Sequence, residues 1–107
     1  MKESLVKETI TKCRALFCIP RSVIVDCRLE VSSDSWGCCS QVSDTHYIVR
    51  INPDMSIRDT VATTIHEMTH IKQWLFPPHD SIVDDGEVEA EKIQYKLTDL
   101  LWELGLL

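Results

Sequence analysis

The segment Ile57–Phe76 constrains this chain more than any other. Ile57, Val61, Ile65, Met68, Ile71 and Leu75 recur at steps of three and four, the spacing that aligns side chains on one face of an α-helix. Ser56 is the expected N-cap, with Asp59 three residues on as its reciprocal partner. Pro77-Pro78 is expected to stop the helix, because proline lacks an N–H and clashes with the preceding turn. Within this helix stands His66-Glu67-Met68-Thr69-His70, an H-E-x-x-H sequence. At about 100° per residue the two histidines fall nearly opposite the apolar stripe. Residues four apart lie one turn above the other, so His66 and His70 can offer two imidazole nitrogens to one metal ion. Glu67 projects in a neighbouring direction, within reach of a water activated by that metal. This arrangement is the signature of zinc hydrolases. The plainer reading is two surface histidines on an amphipathic helix, and the intervening glutamate argues against it.

Catalytic zinc usually takes three protein ligands and leaves a fourth position open. No third histidine follows at the close metzincin spacing, since Ile71-Lys72-Gln73-Trp74-Leu75-Phe76 comes after His70. Downstream, Asp84-Asp85-Gly86-Glu87-Val88-Glu89-Ala90-Glu91 opens a second helical pattern that runs to about Leu104. Ala90, Ile93, Leu97, Leu100, Leu101 and Leu104 form its apolar stripe. Asp84 or Asp85 is the expected N-cap and Gly105 the expected stop. Glu87 and Glu91 share a face, and Glu89 points away from it. One carboxylate of that face can bind the metal. The other can hold a ligand histidine by its second ring nitrogen. Spacing does not say which does which. Acidity at a helix N-terminus is also favoured by the helix dipole.

The H-E-x-x-H helix and Glu87-Val88-Glu89-Ala90-Glu91 together resemble the gluzincin metallopeptidases, and among them the small ImmA/IrrE-type and other minimal phage and bacterial zincins. The resemblance covers about Thr45 to Leu104. It implies that Glu87 is the third zinc ligand and Glu91 the partner of a zinc-bound histidine. It also implies that the edge strand nearest the metal, either Gly37 to Val42 or Thr45 to Ile51, binds an extended peptide by strand addition. Glu91 stands where the family more often has Asp or Asn, so the two roles are open to exchange. No downstream His or Tyr matches the oxyanion-stabilising residue of larger members. Tyr95, His79 and His46 are candidates, each better read as structural or superficial.

The remaining chain reads as a small α+β domain. Residues from about Lys2 to Phe17 are helical in pattern, with Leu5, Val6, Ile10, Cys13, Leu16 and Phe17 on one side and Pro20 beyond. Val23, Val25, Cys27, Leu29 and Val31 alternate with Ile24, Asp26, Arg28 and Glu30, the pattern of a half-buried strand. After a loop at Ser32-Ser33-Asp34-Ser35, Gly37 to Val42 and Thr45 to Ile51 are two further strands around a turn at Ser43-Asp44. Tyr47, Val49 and Ile51 make the apolar face of the last strand. The expected fold is therefore one α+β domain over residues 1–107, with an N-terminal helix, a three-stranded sheet, the active-site helix and a C-terminal helix, and the resemblance implies that it is zincin-like. Trp36, Trp74 and Trp102 are expected to anchor the core.

Cys13, Cys18, Cys27, Cys38 and Cys39 are odd in number and form no C-x-x-C pair, so free thiols serving as small apolar residues are the expectation. Adjacent Cys38 and Cys39 would face opposite sides of a strand, and one of them could line a substrate groove. The net charge of −6 is uneven: residues 1–58 carry 8 basic and 7 acidic groups, and residues 59–107 carry 3 basic and 10 acidic. An acidic half suits a cation and disfavours nucleic acid. No stretch is long and apolar enough for a membrane span, and the start lacks the apolar core of a signal peptide, so a cytoplasmic location is expected. The functional expectation is a zinc-dependent metallopeptidase, with zinc on His66, His70 and Glu87 and with Glu67 as general base, acting on a protein or peptide. The alternative is a catalytically silent zincin-like interaction or regulatory module.

Overall fold

A computed structural model describes residues 2–31, 34–76 and 87–105, excluding the side chains of residues 87 and 88. The expectations for Ser32, Ser33, Pro77, Pro78, His79, Asp84 and Asp85 lie outside the described residues. The elements run α1 (Lys2–Leu16), β1 (Ile24–Leu29), β2 (Gly37–Ser43), β3 (His46–Ile51), α2 (Ile57–Leu75) and α3 (Glu87–Glu103). The three helices and one three-stranded mixed sheet make a small α+β fold.

Each helix starts or stops for a local reason. At the N-terminus of α2, the Asp59 backbone N–H donates to Ser56 Oγ at 3.1 Å, satisfying a donor that has no partner within the helix. After α1, Ile19 N bonds Arg14 O and Cys18 N bonds Ala15 O, the paired pattern of a Schellman stop. Cys18 takes the left-handed position with φ 55°, a conformation that costs a residue bearing a Cβ about 1–2 kcal/mol. Gly105, with φ 68°, occupies the same conformation after α3, and there the missing Cβ removes the strain.

The sheet order is β1-β3-β2. β2 pairs antiparallel with β3 through the expected hairpin, and β1 pairs parallel with β3 on its other side. β3 is thus central, and its apolar face is fully covered: Tyr47, Val49 and Ile51 are buried. A central strand has no free edge, so Thr45 to Ile51 is excluded as a peptide-docking edge. Of the two candidates, only β2 remains.

α2 packs against α1, α3, β2 and β3. Val61, Ile65, Met68 and Ile71 of its expected stripe are fully buried, whereas Ile57, in the first turn, is exposed. Burial also extends well beyond the stripe to Thr60, Ala62, Thr64 and Thr69. Threonine suits such positions because its hydroxyl can bond the carbonyl one turn back. Thr60, Thr64 and Thr69 each do so at 2.8 Å, to Ser56 O, Thr60 O and Ile65 O. A polar residue buried this way needs no external partner.

Several apolar expectations fail at the ends of the helices. Leu16, Leu100 and Leu104 are exposed, whereas Cys13 and Leu101 of the same expected stripes are buried. The tryptophans do not anchor the core either. Trp36, Trp74 and Trp102 are all exposed, with Trp74 stacked on Tyr47 at 5.6 Å and Trp102 beneath Arg58. Aliphatic side chains and Tyr47 fill the space that a core tryptophan would need.

The strand comes close against the helix at Gly37. A Cβ there would lie 2.6 Å from Thr63 Cγ2 and 3.5 Å from Glu67 Cγ. Gly37→Ala is therefore expected to destabilise the fold by about 1–3 kcal/mol through overpacking, measured by chemical denaturation. Adding Thr63→Ser, which removes the opposing methyl, should recover most of that loss. An unchanged midpoint in the single variant would show that the two elements can part at no cost.

Candidate metal centre

The middle of α2 carries the centre. One potential ligand atom each from His66, Glu67 and His70 lie within 4.8 Å of one another. The rings of His66 and His70 meet edge to face with centroids 4.9 Å apart. This is the convergence that their four-residue spacing implies. Glu67, one residue after His66, is 6% exposed, so its carboxyl is held out of bulk water beside the ring pair.

Two glutamines hold the histidines. Nδ1 of His66 lies 2.8 Å from Oε1 of Gln94 on α3. Nδ1 of His70 lies 2.9 Å from Oε1 of Gln73, one turn along α2. Gln73 Nε2 in turn donates to Glu89 Oε1 at 2.9 Å, and Lys72 Nζ stands 3.6 Å from the same oxygen. The two helices are thus joined through the side chains that carry the imidazoles.

An open cavity of about 370 Å³ adjoins the group. Its lining includes His66 and Glu67 from α2, Glu91, Gln94 and Tyr95 from α3, and Trp36 and Gly37 at the head of β2. The expected site residues therefore divide as follows. His66, Glu67 and His70 are brought together. Glu91, which the resemblance made the partner of a zinc-bound histidine, lines the same cavity, and Gln94 stands at His66 Nδ1. Glu87 is the first residue of α3, and its side chain lies outside the described residues. Glu89, expected to point away, instead reaches Gln73 and Lys72 on α2. His46 is not part of the centre: its Nε2 lies 2.6 Å from Asp26 Oδ2, joining β3 to β1. Tyr95 lines the cavity wall.

The sequence held a signal for the glutamines. Gln94 follows Glu91 by three and Glu87 by seven, and Gln73 follows His70 by three, so each shares a helix face with its partner. An amide oxygen accepts a hydrogen bond from an imidazole as a carboxylate does, though without its charge.

The chain matches no family model, no curated protein and no solved structure. Among the described residues, no helix is long and apolar enough to cross a membrane.

All five cysteines are free thiols. Burial pushes the Cys13 thiol up to about 12. Burial, then the Glu67 carboxyl and Cys38, push Cys39 up to about 12 as well. Cys38, on the opposite side of β2, is exposed and lines a small cavity with Trp36 and Arg50. A thiol with a raised folded pKa holds its proton more tightly in the native state. Its contribution to stability is complete below the ordinary thiol pKa and is lost as pH rises towards the folded value. Stability should therefore fall between about pH 9 and about pH 12. Denaturant titrations across that range should show a shallower decline in a Cys13→Ala, Cys39→Ala variant. Equal slopes would sink this assignment.

Proposed function

We propose that this chain is a zinc-dependent metallopeptidase acting on a protein or peptide. The observation that carries the reading is the convergence of His66, Glu67 and His70 within 4.8 Å on the wall of an open cavity. The donor set fits zinc, which takes imidazole nitrogen and carboxylate oxygen and has no geometric demand of its own beyond four-fold coordination. His66 and His70 hold the ion, and Glu87 supplies the third ligand, as the gluzincin resemblance implies. Bound zinc would lower the pKa of water at the site and polarise a substrate carbonyl.

The chain's own residues supply the rest. Glu67, itself largely buried, sits beside the ring pair on the wall of the open cavity, where its carboxylate accepts the proton of the attacking water. The same carboxyl then delivers that proton to the departing amine. β2 lies at the edge of the sheet, and Trp36 and Gly37 at its head line the cavity. An extended peptide laid along that edge would gain backbone hydrogen bonds in register. The closeness of Gly37 to Glu67 would then carry its carbonyl past the general base.

The reading is tested by metal content and cleavage together. Wild type should bind about one zinc per chain, and His66→Ala should lose it. Glu67→Gln should keep zinc while cleavage falls about 10²–10⁴-fold, measured by mass spectrometry on a peptide library. Glu87→Ala should lose zinc while Glu91→Ala keeps it; the reverse result moves the third ligand one turn along α3. Wild type that takes up no zinc would overturn the proposal. Zinc binding without cleavage of any library member would leave the silent-module reading.

A further inference from the structure

We propose that Gln94 and the Glu89–Gln73 pair are positioning residues that set both imidazoles of the centre as Nδ1–H tautomers before any metal is bound. The inference deepens the metallopeptidase reading and rests on it only for the purpose the tautomers serve. Glu89 can only accept hydrogen bonds, so the Gln73 amide must turn its NH₂ towards it, as the 2.9 Å contact has it. Turning NH₂ to Glu89 directs Oε1 to His70 Nδ1 at 2.9 Å. An amide oxygen also only accepts, so Nδ1 of a neutral His70 carries the hydrogen and Nε2 carries the lone pair. Gln94 Oε1 makes the same demand on His66 Nδ1 at 2.8 Å. A neutral imidazole ligates through the nitrogen without the hydrogen, so both rings are set to offer Nε2.

Two features make this a built arrangement. The partners come from both helices: Gln73 is on α2, and Glu89 and Gln94 are on α3. Glu89 is itself placed by Lys72 Nζ at 3.6 Å. The acceptors on the rings are also neutral amides. A carboxylate behind a ligand histidine raises its basicity and tightens metal binding. An amide orients the ring without adding charge. Two histidines and one glutamate around a divalent ion then leave a net positive centre, which polarises a carbonyl more strongly than a neutralised one.

The test reads the tautomers directly. Long-range ¹H–¹⁵N correlation spectra of the metal-free full chain, recorded well above the ordinary imidazole pKa, distinguish protonated from unprotonated ring nitrogens. Both His66 and His70 should show a protonated Nδ1. Glu89→Gln, at an exposed position, frees the Gln73 amide to turn over, and should move His70 towards the Nε2–H form while His66 is unchanged. Gln94→Leu should do the converse. Each variant should weaken zinc binding about tenfold in chelator competition. Gln94→Glu keeps an acceptor, and should retain the His66 tautomer and tighten zinc about tenfold. If Gln94→Leu does not fold, Gln94→Glu and Glu89→Gln still decide. A wild-type ring in the Nε2–H form would overturn the proposal, as would unchanged spectra and affinities in Glu89→Gln. The expected spectra in a protein that binds no zinc would uphold the positioning and sink the metallopeptidase reading, so the two failures are separable.

Discussion

The close approach of the β2 backbone to α2 at Gly37 governs how this small domain is put together. With no Cβ at that point, the strand comes against Thr63 and Glu67 at distances no other residue would permit. That contact brings the edge of the sheet beside the middle of the helix, where His66, Glu67 and His70 sit. The cavity, with walls from α2, α3 and the head of β2, follows from the same contact. A helix surrounded in this way must have a middle that tolerates burial on most sides. The threonines supply it: each satisfies its hydroxyl on its own helix, so the surrounding elements need offer only methyl contacts.

Burial on this scale has an electrostatic consequence. A carboxyl held out of water is costly unless its surroundings compensate. Glu67 is in that position, and its effect reaches Cys39 on the neighbouring strand, whose thiol is driven upward first by burial and then by that carboxyl. Buried carboxyls beside imidazoles are a common feature of functional sites. Aliphatic side chains fill the neighbouring core without any such penalty.

What the sequence disclosed follows the range of the forces involved. The spacing of Val61, Ile65, Met68 and Ile71 and the Ser56 cap act within a turn or two, and α2 forms where they place it. The alternation from Val23 to Leu29 is local in the same sense. The parallel pairing of β1 with β3 joins residues about twenty positions apart across an intervening strand, and nothing in either strand alone demands it. Exposure of Ile57, Leu100 and Leu104 depends on which faces the neighbouring elements cover, which periodicity alone cannot report. In the centre, the H-E-x-x-H spacing is itself the geometry of one helix face, so it was legible. The partners of the two rings were not, because glutamines are common on helix surfaces and only the packing of α3 on α2 gives Gln94 its role.

That packing ties the centre to the stability of the whole domain. Arg58 pairs with Asp99, His66 with Gln94, and Gln73 with Glu89, so the contacts run antiparallel along the two helices. Two of these three links involve the imidazoles: His66 bonds Gln94 directly, and His70 reaches Glu89 through Gln73. Any force that orders the imidazoles therefore also orders α3 on α2. A ligand that binds only the native arrangement stabilises it by mass action. A metal bound to rings from α2 and a carboxylate from α3 would share its binding free energy with the docking of the two helices. In a chain of 107 residues, with a core this modest, that shared term is large enough to matter. With a metal held there, the His66–Glu67–His70 group and the α2–α3 interface would form one thermodynamic unit, and a substitution that loosens either would be felt at the other.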